Sequence, residues 1–105
     1  MKVKFNDTEE FLSELRSNPP PSKVVRMTSR YHRHPTLPIN TVYVSASYVD
    51  ALGQVVYLDC LCGEVWHRDS EETRQTQKKR EAVYEAIETA IAAADLDSRP
   101  GVFEE

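Results

Sequence analysis

Apolar and polar positions alternate most regularly between Thr41 and Val65, where the chain reads as two strands folded back on each other. Asp50-Ala51-Leu52-Gly53-Gln54 interrupts the alternation, and Gly53 supplies the positive φ that a three-residue loop, Ala51 to Gly53, needs. Asp50 then faces Gln54, and the pairs Tyr48 with Val56, Ala46 with Leu58, Val44 with Cys60 and Val42 with Cys62 follow. Side chains alternate between faces, so these eight residues form one apolar face that must be covered. The opposite face carries Tyr43, Ser45, Ser47, Val49, Tyr57, Asp59 and Leu61 and can meet water.

The same period of two runs from Lys23 to His34. Val25, Met27, Ser29 and Tyr31 belong with the covered face, and Arg26, Thr28, Arg30 and His32 with the open one. Pro35 and Pro38 mark the connection to the hairpin. Upstream, Asn6 or Asp7 can cap a short helix over Thr8 to Ser17, with Phe11, Leu12 and Leu15 as a narrow apolar face, and Pro19-Pro20-Pro21 stops it. Met1 to Phe5 alternates too briefly to separate an edge strand from an ordered arm.

Downstream, Asp69 or Ser70 can cap a final helix. No residue from His67 to Glu81 is apolar, so the first half of that helix is expected to project into solvent or to be partly loop. From Ala82 the residues Val83, Ile87, Ala90, Ile91 and Ala94 recur at helical spacing and form the natural lid of the sheet. The expectation is an α+β fold: a two-layer α-β-β-β-α domain whose three-stranded antiparallel sheet is covered on one face by the C-terminal helix. Residues 1–98 form the domain and 99–105 a tail, in which Pro100-Gly101 is a break and Val102 and Phe103 dock back.

The order helix, three strands, helix resembles the double-stranded-RNA-binding domain. The resemblance covers element order and no motif. The basic helix start that such domains use on phosphates is echoed by Lys78, Lys79 and Arg80, which lie inside the helix instead.

Composition changes this picture little: 105 residues, 40% hydrophobic, 29% charged and three glycines describe one ordinary domain. Charge distribution changes it more. The net charge of −4 gives the whole molecule no general attraction for nucleic acid. Between Leu15 and Val49, however, there is no acidic residue, while Arg16, Lys23, Arg26, Arg30 and Arg33 lie there with His32 and His34. Two cysteines one residue apart are no disulfide framework, the start has no apolar signal-like run, and no stretch approaches the ~18 apolar residues of a membrane span. These features lead to the expectation of a cytoplasmic protein without a membrane association.

Cys60-Leu61-Cys62 and His32-Arg33-His34 hold zinc-ligand residue types, but alternation puts the cysteines on the covered face and the histidines on the open one. Buried cysteines acting as small hydrophobes are the simpler reading, so no metal or other cofactor is expected. Ser45, Asp59 and His32 share the open face, yet the serine sits mid-strand without a strained elbow or oxyanion donors. Phosphate-loop, dinucleotide and HExxH patterns are absent, so no catalytic activity is expected. Arg26, Arg30 and His32 beside Tyr43 and Tyr57 combine cations with flat rings, which suits phosphates and stacked bases. Arg74 and Lys78, one turn apart on the final helix, form a second basic cluster. The expected partner is nucleic acid or, through the same surface, a partner protein or a second copy of the chain.

Overall fold

The computed structural model describes residues 1–101. The elements in chain order are β1 (Lys2–Phe5), α1 (Thr8–Ser17), β2 (Val24–Arg33), β3 (Ile39–Val49), β4 (Val55–Trp66), α2 (Glu71–Ala93) and β5 (Asp97–Pro100). The strands form one mixed sheet in the order β1-β4-β3-β2-β5. The α+β class and the antiparallel β2-β3-β4 centre match the sequence. The sheet, however, has five strands, not three: β1 joins β4 and β5 joins β2, both in parallel. The expected order of helix, three strands and helix is thus embedded between two further strands. Among the described residues no helix is long and apolar enough to cross a membrane.

The turns follow their residues. Asp50 Oδ1 accepts the Leu52 and Gln54 N–H groups, both at 2.9 Å, and Gly53 adopts φ +78°. Val49 therefore pairs with Val55, and the expected register holds through Tyr43 opposite Leu61. There a β-bulge intervenes, and Val42 pairs with Gly63 instead of Cys62. One extra residue on β4 tightens the local twist, and Cys62 keeps its side chain on the covered face.

Asp7 caps α1 by accepting the Glu9 and Glu10 N–H groups at 2.7 and 3.3 Å, and Ser70 caps α2 by accepting Thr73 N–H at 3.1 Å. Both helices lie on the same face of the sheet. Phe11, Leu12 and Leu15 from α1 and Ile87 and Ile91 from α2 close over Val25, Met27, Val42, Val44, Ala46, Tyr48, Val56, Leu58, Cys60 and Cys62. The lid is therefore made by two helices rather than by the C-terminal one alone. Ala94, counted in the lid by its spacing, is the exposed C-cap.

Three further expectations are corrected. The first half of α2 does not project into solvent: it packs through Thr76, which is buried although polar. Gly63 makes this approach feasible, because a Cβ there would lie 2.6 Å from Thr76 Oγ1. Tyr31 has the parity of the covered face but is 52% exposed. The first half of α2 lies over β4 rather than over this end of β2, which Arg80 reaches by donating from Nη1 to Ser29 Oγ at 3.3 Å. Lastly, the tail expected from residue 99 begins inside β5, which Gly101 N–H extends by bonding to the Met27 carbonyl at 2.9 Å. Val102 and Phe103 lie outside the described residues.

Candidate functional site: the open sheet face

Strand alternation fixes what the uncovered face displays. Val25 and Met27 are buried beneath the helices, so Arg26 points the other way. Val3 and Phe5 pack on the core, which turns Lys2 and Lys4 outward; Lys4 Nζ lies 6.0 Å from the Tyr57 ring centroid. Ser98 Oγ contacts the Met27 sulfur on the helix side, leaving Arg99 on the open side.

Register then assembles these residues into rows. Lys4 pairs with Tyr57, Tyr57 with Ser47, Ser47 with Arg26, and Arg26 with Arg99. One row thus crosses all five strands and carries three cations and a tyrosine but no carboxylate. With strands about 4.8 Å apart it spans roughly 19 Å. Lys4, Arg26 and Arg99 are exposed, and Tyr57 is half-buried.

The next rows are organised around Arg30. Its Nη2 donates to Asp59 Oδ1 at 2.8 Å and its Nε to Ser45 Oγ at 3.2 Å, while Ser45 Oγ donates to the same carboxylate oxygen at 2.9 Å. Ser45 is only 1% exposed, and the ion-paired side chains are 16% and 18% exposed. The guanidinium also lies 5.5 Å from the Tyr43 ring centroid, and His32 meets that ring edge-on at 5.3 Å. Arg30 is therefore an ordered strut: charge-assisted bonds of this kind hold its plane fixed, and Asp59 offsets its charge. Serine, aspartate and histidine do not form a catalytic array here. Ser45 pairs with Asp59 directly, and the third partner of that pair is an arginine, which stays protonated and cannot serve as a base.

Comparison with protein families, with curated proteins and with solved structures gives no match.

Of the residues singled out in the sequence, Arg26, Arg30, His32, Tyr43 and Tyr57 share the open face. Arg74 and Lys78 do not join them, because α2 lies on the other side of the sheet. Arg74 bonds to Asp69 at 3.2 Å and to Glu71 at 3.0 Å at the start of α2. That start is acidic, with Glu71 and Glu72 in the first turn, so the basic helix start implied by the double-stranded-RNA-binding resemblance is not present. Lys2, Lys4 and Arg99 were missed because they join the face only once β1 and β5 join the sheet. The alternation of Lys2-Val3-Lys4-Phe5 was the one signal for them.

Cys60 and Cys62 are buried on the helix side, and burial, followed by the neighbouring Cys60, pushes the Cys62 thiol up from its ordinary value. His34 Nδ1 accepts the Thr36 and Leu37 N–H groups at 3.1 and 2.9 Å, which uses it in the β2-β3 turn. Among the described residues no three His, Cys, Asp or Glu side chains cluster as metal ligands.

Proposed function

We propose that this chain is a small binding module without catalytic activity that contacts single-stranded nucleic acid through its open sheet face. The observation that carries the reading is the five-strand row of Lys4, Tyr57, Ser47, Arg26 and Arg99. Phosphates require cations, and unstacked bases take aromatic or guanidinium faces as platforms. A flat sheet with Tyr57 between Lys4 and Arg26, and with Tyr43 in a neighbouring row, offers both together. The row itself holds no carboxylate although the molecule as a whole carries −4, and Asp59 in the neighbouring row is paired with Arg30.

Fluorescence anisotropy with labelled single-stranded RNA and DNA tests the proposal. Affinity should fall steeply between about 50 and 200 mM salt, and Arg26→Ala with Arg99→Ala should flatten the log–log slope by ~1.4, about 0.7 for each lost phosphate contact. Arg74→Ala with Lys78→Ala, on the opposite layer, should leave both affinity and slope unchanged. Absence of binding at low salt, or equal slopes for the Arg26/Arg99 variant and the parent chain, would refute it.

A second reading rests on two apolar side chains of the same face. Leu61 and Val49 are both about half exposed, which suits a partner protein or a second copy. Such an interface would hold its affinity as salt rises, so the same titration separates the two.

A further inference from the structure

The helix side of β4 carries a cysteine pair that the open face does not use. Cys60 and Cys62 are two positions apart, so both side chains enter the layer beneath the helices. Cys60 pairs with Val44 in regular register. Cys62 is the residue that the bulge adds: Tyr43 pairs with Leu61 and Val42 with Gly63, which leaves it without a partner of its own on β3.

The two sulfurs lean toward each other along the strand. The Cys62 thiol donates backward to the Cys60 carbonyl at 3.7 Å, and the Cys60 thiol donates forward to the Leu61 carbonyl at 3.9 Å. Both therefore sit over the short stretch of backbone between them, as free thiols. A direct disulfide needs Cβ atoms about 3.8 Å apart, whereas same-face neighbours on a strand are spaced by roughly 6.6 Å. That spacing suits two sulfurs held by one ion, since metal–thiolate bonds near ~2.3 Å place them about 4–5 Å apart.

The pair is buried but not sealed, each residue keeping 7% exposure. A cleft of about 450 Å³ between β4 and α2 has Cys62 on its wall, with Trp66, Thr76 and Lys79, and gives a small ion a path from solvent. Thr73 accepts the Trp66 N–H and Thr76 packs on Gly63, so α2 advances toward Cys62 as it runs. Lys79, one turn past Thr76, stands at the Cys62 end, and Glu72 two turns earlier at the Trp66 end. On the other flank Thr8 donates its hydroxyl to Cys60 Sγ at 3.6 Å. A cation and a hydroxyl donor beside the sulfurs suit a site that gains negative charge.

We infer that Cys60 and Cys62 form a two-thiolate site for one soft univalent metal ion, Cu(I). Donor number selects the ion. Structural zinc takes four ligands, and among the described residues no third Cys, His, Asp or Glu joins the pair. Magnesium and calcium take oxygen ligands. Cu(I) is soft, prefers sulfur and is satisfied by two thiolates in line. Binding replaces both S–H protons by one Cu(I): the two protons leave to solvent, no electron is transferred, and the neutral pair becomes a complex with a single negative charge, which Lys79 offsets. The site lies on the opposite side of the sheet from the cationic row and does not depend on it.

The test titrates the full, reduced chain anaerobically with Cu(I) buffered by bicinchoninate, a coloured Cu(I) chelator. One copper per chain should pass to the protein, and native mass spectrometry should show a monomer heavier by one copper and lighter by two protons. X-ray absorption should find two sulfur neighbours around the metal. Cys60→Ala and Cys62→Ala should each leave the copper with the chelator. Alanine in the core can loosen it, so Lys79→Glu, at an exposed position, supplies a variant that keeps both thiols. It should keep the metal-free melting temperature and weaken Cu(I) by about tenfold. Copper that stays with the chelator, one or three sulfurs around the metal, or a copper shared between two chains would overturn the inference. So would full retention in either cysteine variant, a Lys79→Glu chain that binds as the parent does, or stoichiometric retention of zinc against a zinc chelator.

Discussion

At the scale of single residues, the molecule places its polar groups unequally. Ser45 and Asp59 are buried or nearly so, yet they are satisfied by each other and by Arg30. Tyr48 is the exception: it is 3% exposed, and its hydroxyl has no hydrogen-bond partner among the described residues. Burial above all, then Glu14 and Asp50, push its phenol up from the ordinary 10.0. A buried unsatisfied hydroxyl contributes nothing at neutral pH that a phenyl ring could not. Tyr48→Phe is therefore expected to match or exceed the parent by up to about 1 kcal/mol in urea denaturation at pH 7. The sign at high pH follows from linkage. The unfolded chain loses its phenolic proton near pH 10 while the folded one keeps it, so the unfolded state binds fewer protons and stability falls as pH rises. The decline begins near the unfolded value and continues up to the raised folded one. Tyr48→Phe should flatten the part of the stability profile that lies above pH 10, and an unchanged slope there would show that the phenol is not desolvated.

At the scale of elements, legibility depended on length. The ten to twelve residues of β2, β3 and β4 repeat their alternation often enough to reveal strand, face and register. β1 and β5 are four residues each: the alternation of β1 is too brief to tell a strand from an arm, and β5, Asp-Ser-Arg-Pro, has no alternation of apolar and polar residues. The centre of the open face was therefore readable as Arg26, Arg30, His32, Tyr43 and Tyr57, while Lys4 and Arg99, which extend it to both edges, depended on long-range pairings of β1 and β5. The start of α2 was misread for a related reason. Its contact with the sheet is made by Thr76 against Gly63, and neither is a hydrophobic marker. That contact leads to a specific expectation. Gly63 has φ +137°, where L side chains are strained, and a Cβ would meet Thr76 Oγ1 at 2.6 Å. Gly63→Ala combines backbone strain with overpacking, each worth about 1–3 kcal/mol, so a loss of ~2–4 kcal/mol in denaturant unfolding is expected. Gly63→Ala with Thr76→Ala should recover the packing share and leave the strain. A Gly63→Ala chain as stable as the parent would mean that α2 is not held to the bulge.

At the scale of the whole molecule, the long central strands set the shape. The radius of gyration is 14.5 Å and the extents are 44 × 26 × 21 Å, longer than a compact chain of this size at ~13 Å. The elongation has an energetic counterpart. At the hairpin end both helices close over the sheet, and Phe11, Leu58, Val44 and Ile87 are fully buried; toward Trp66 only the polar start of α2 is present. Stability should therefore be graded in space, with β3, paired on both sides and covered from above, at its maximum. β5 stands at the opposite extreme: all four of its residues are exposed, and it pairs on one side only. Native-state amide exchange across a denaturant series measures this gradient. Val44 to Tyr48 should exchange only through global unfolding, with a denaturant dependence equal to that of the whole transition, whereas Ser98 and Arg99 should exchange by local opening with almost none. Since Arg99 completes the cationic row, single-stranded nucleic acid bound there would also slow exchange in β5 far more than in β3. Equal protection of the two strands in the free protein would mean that the outer strand is as firmly integrated as the centre, and the row would then be a rigid feature rather than one that a ligand consolidates.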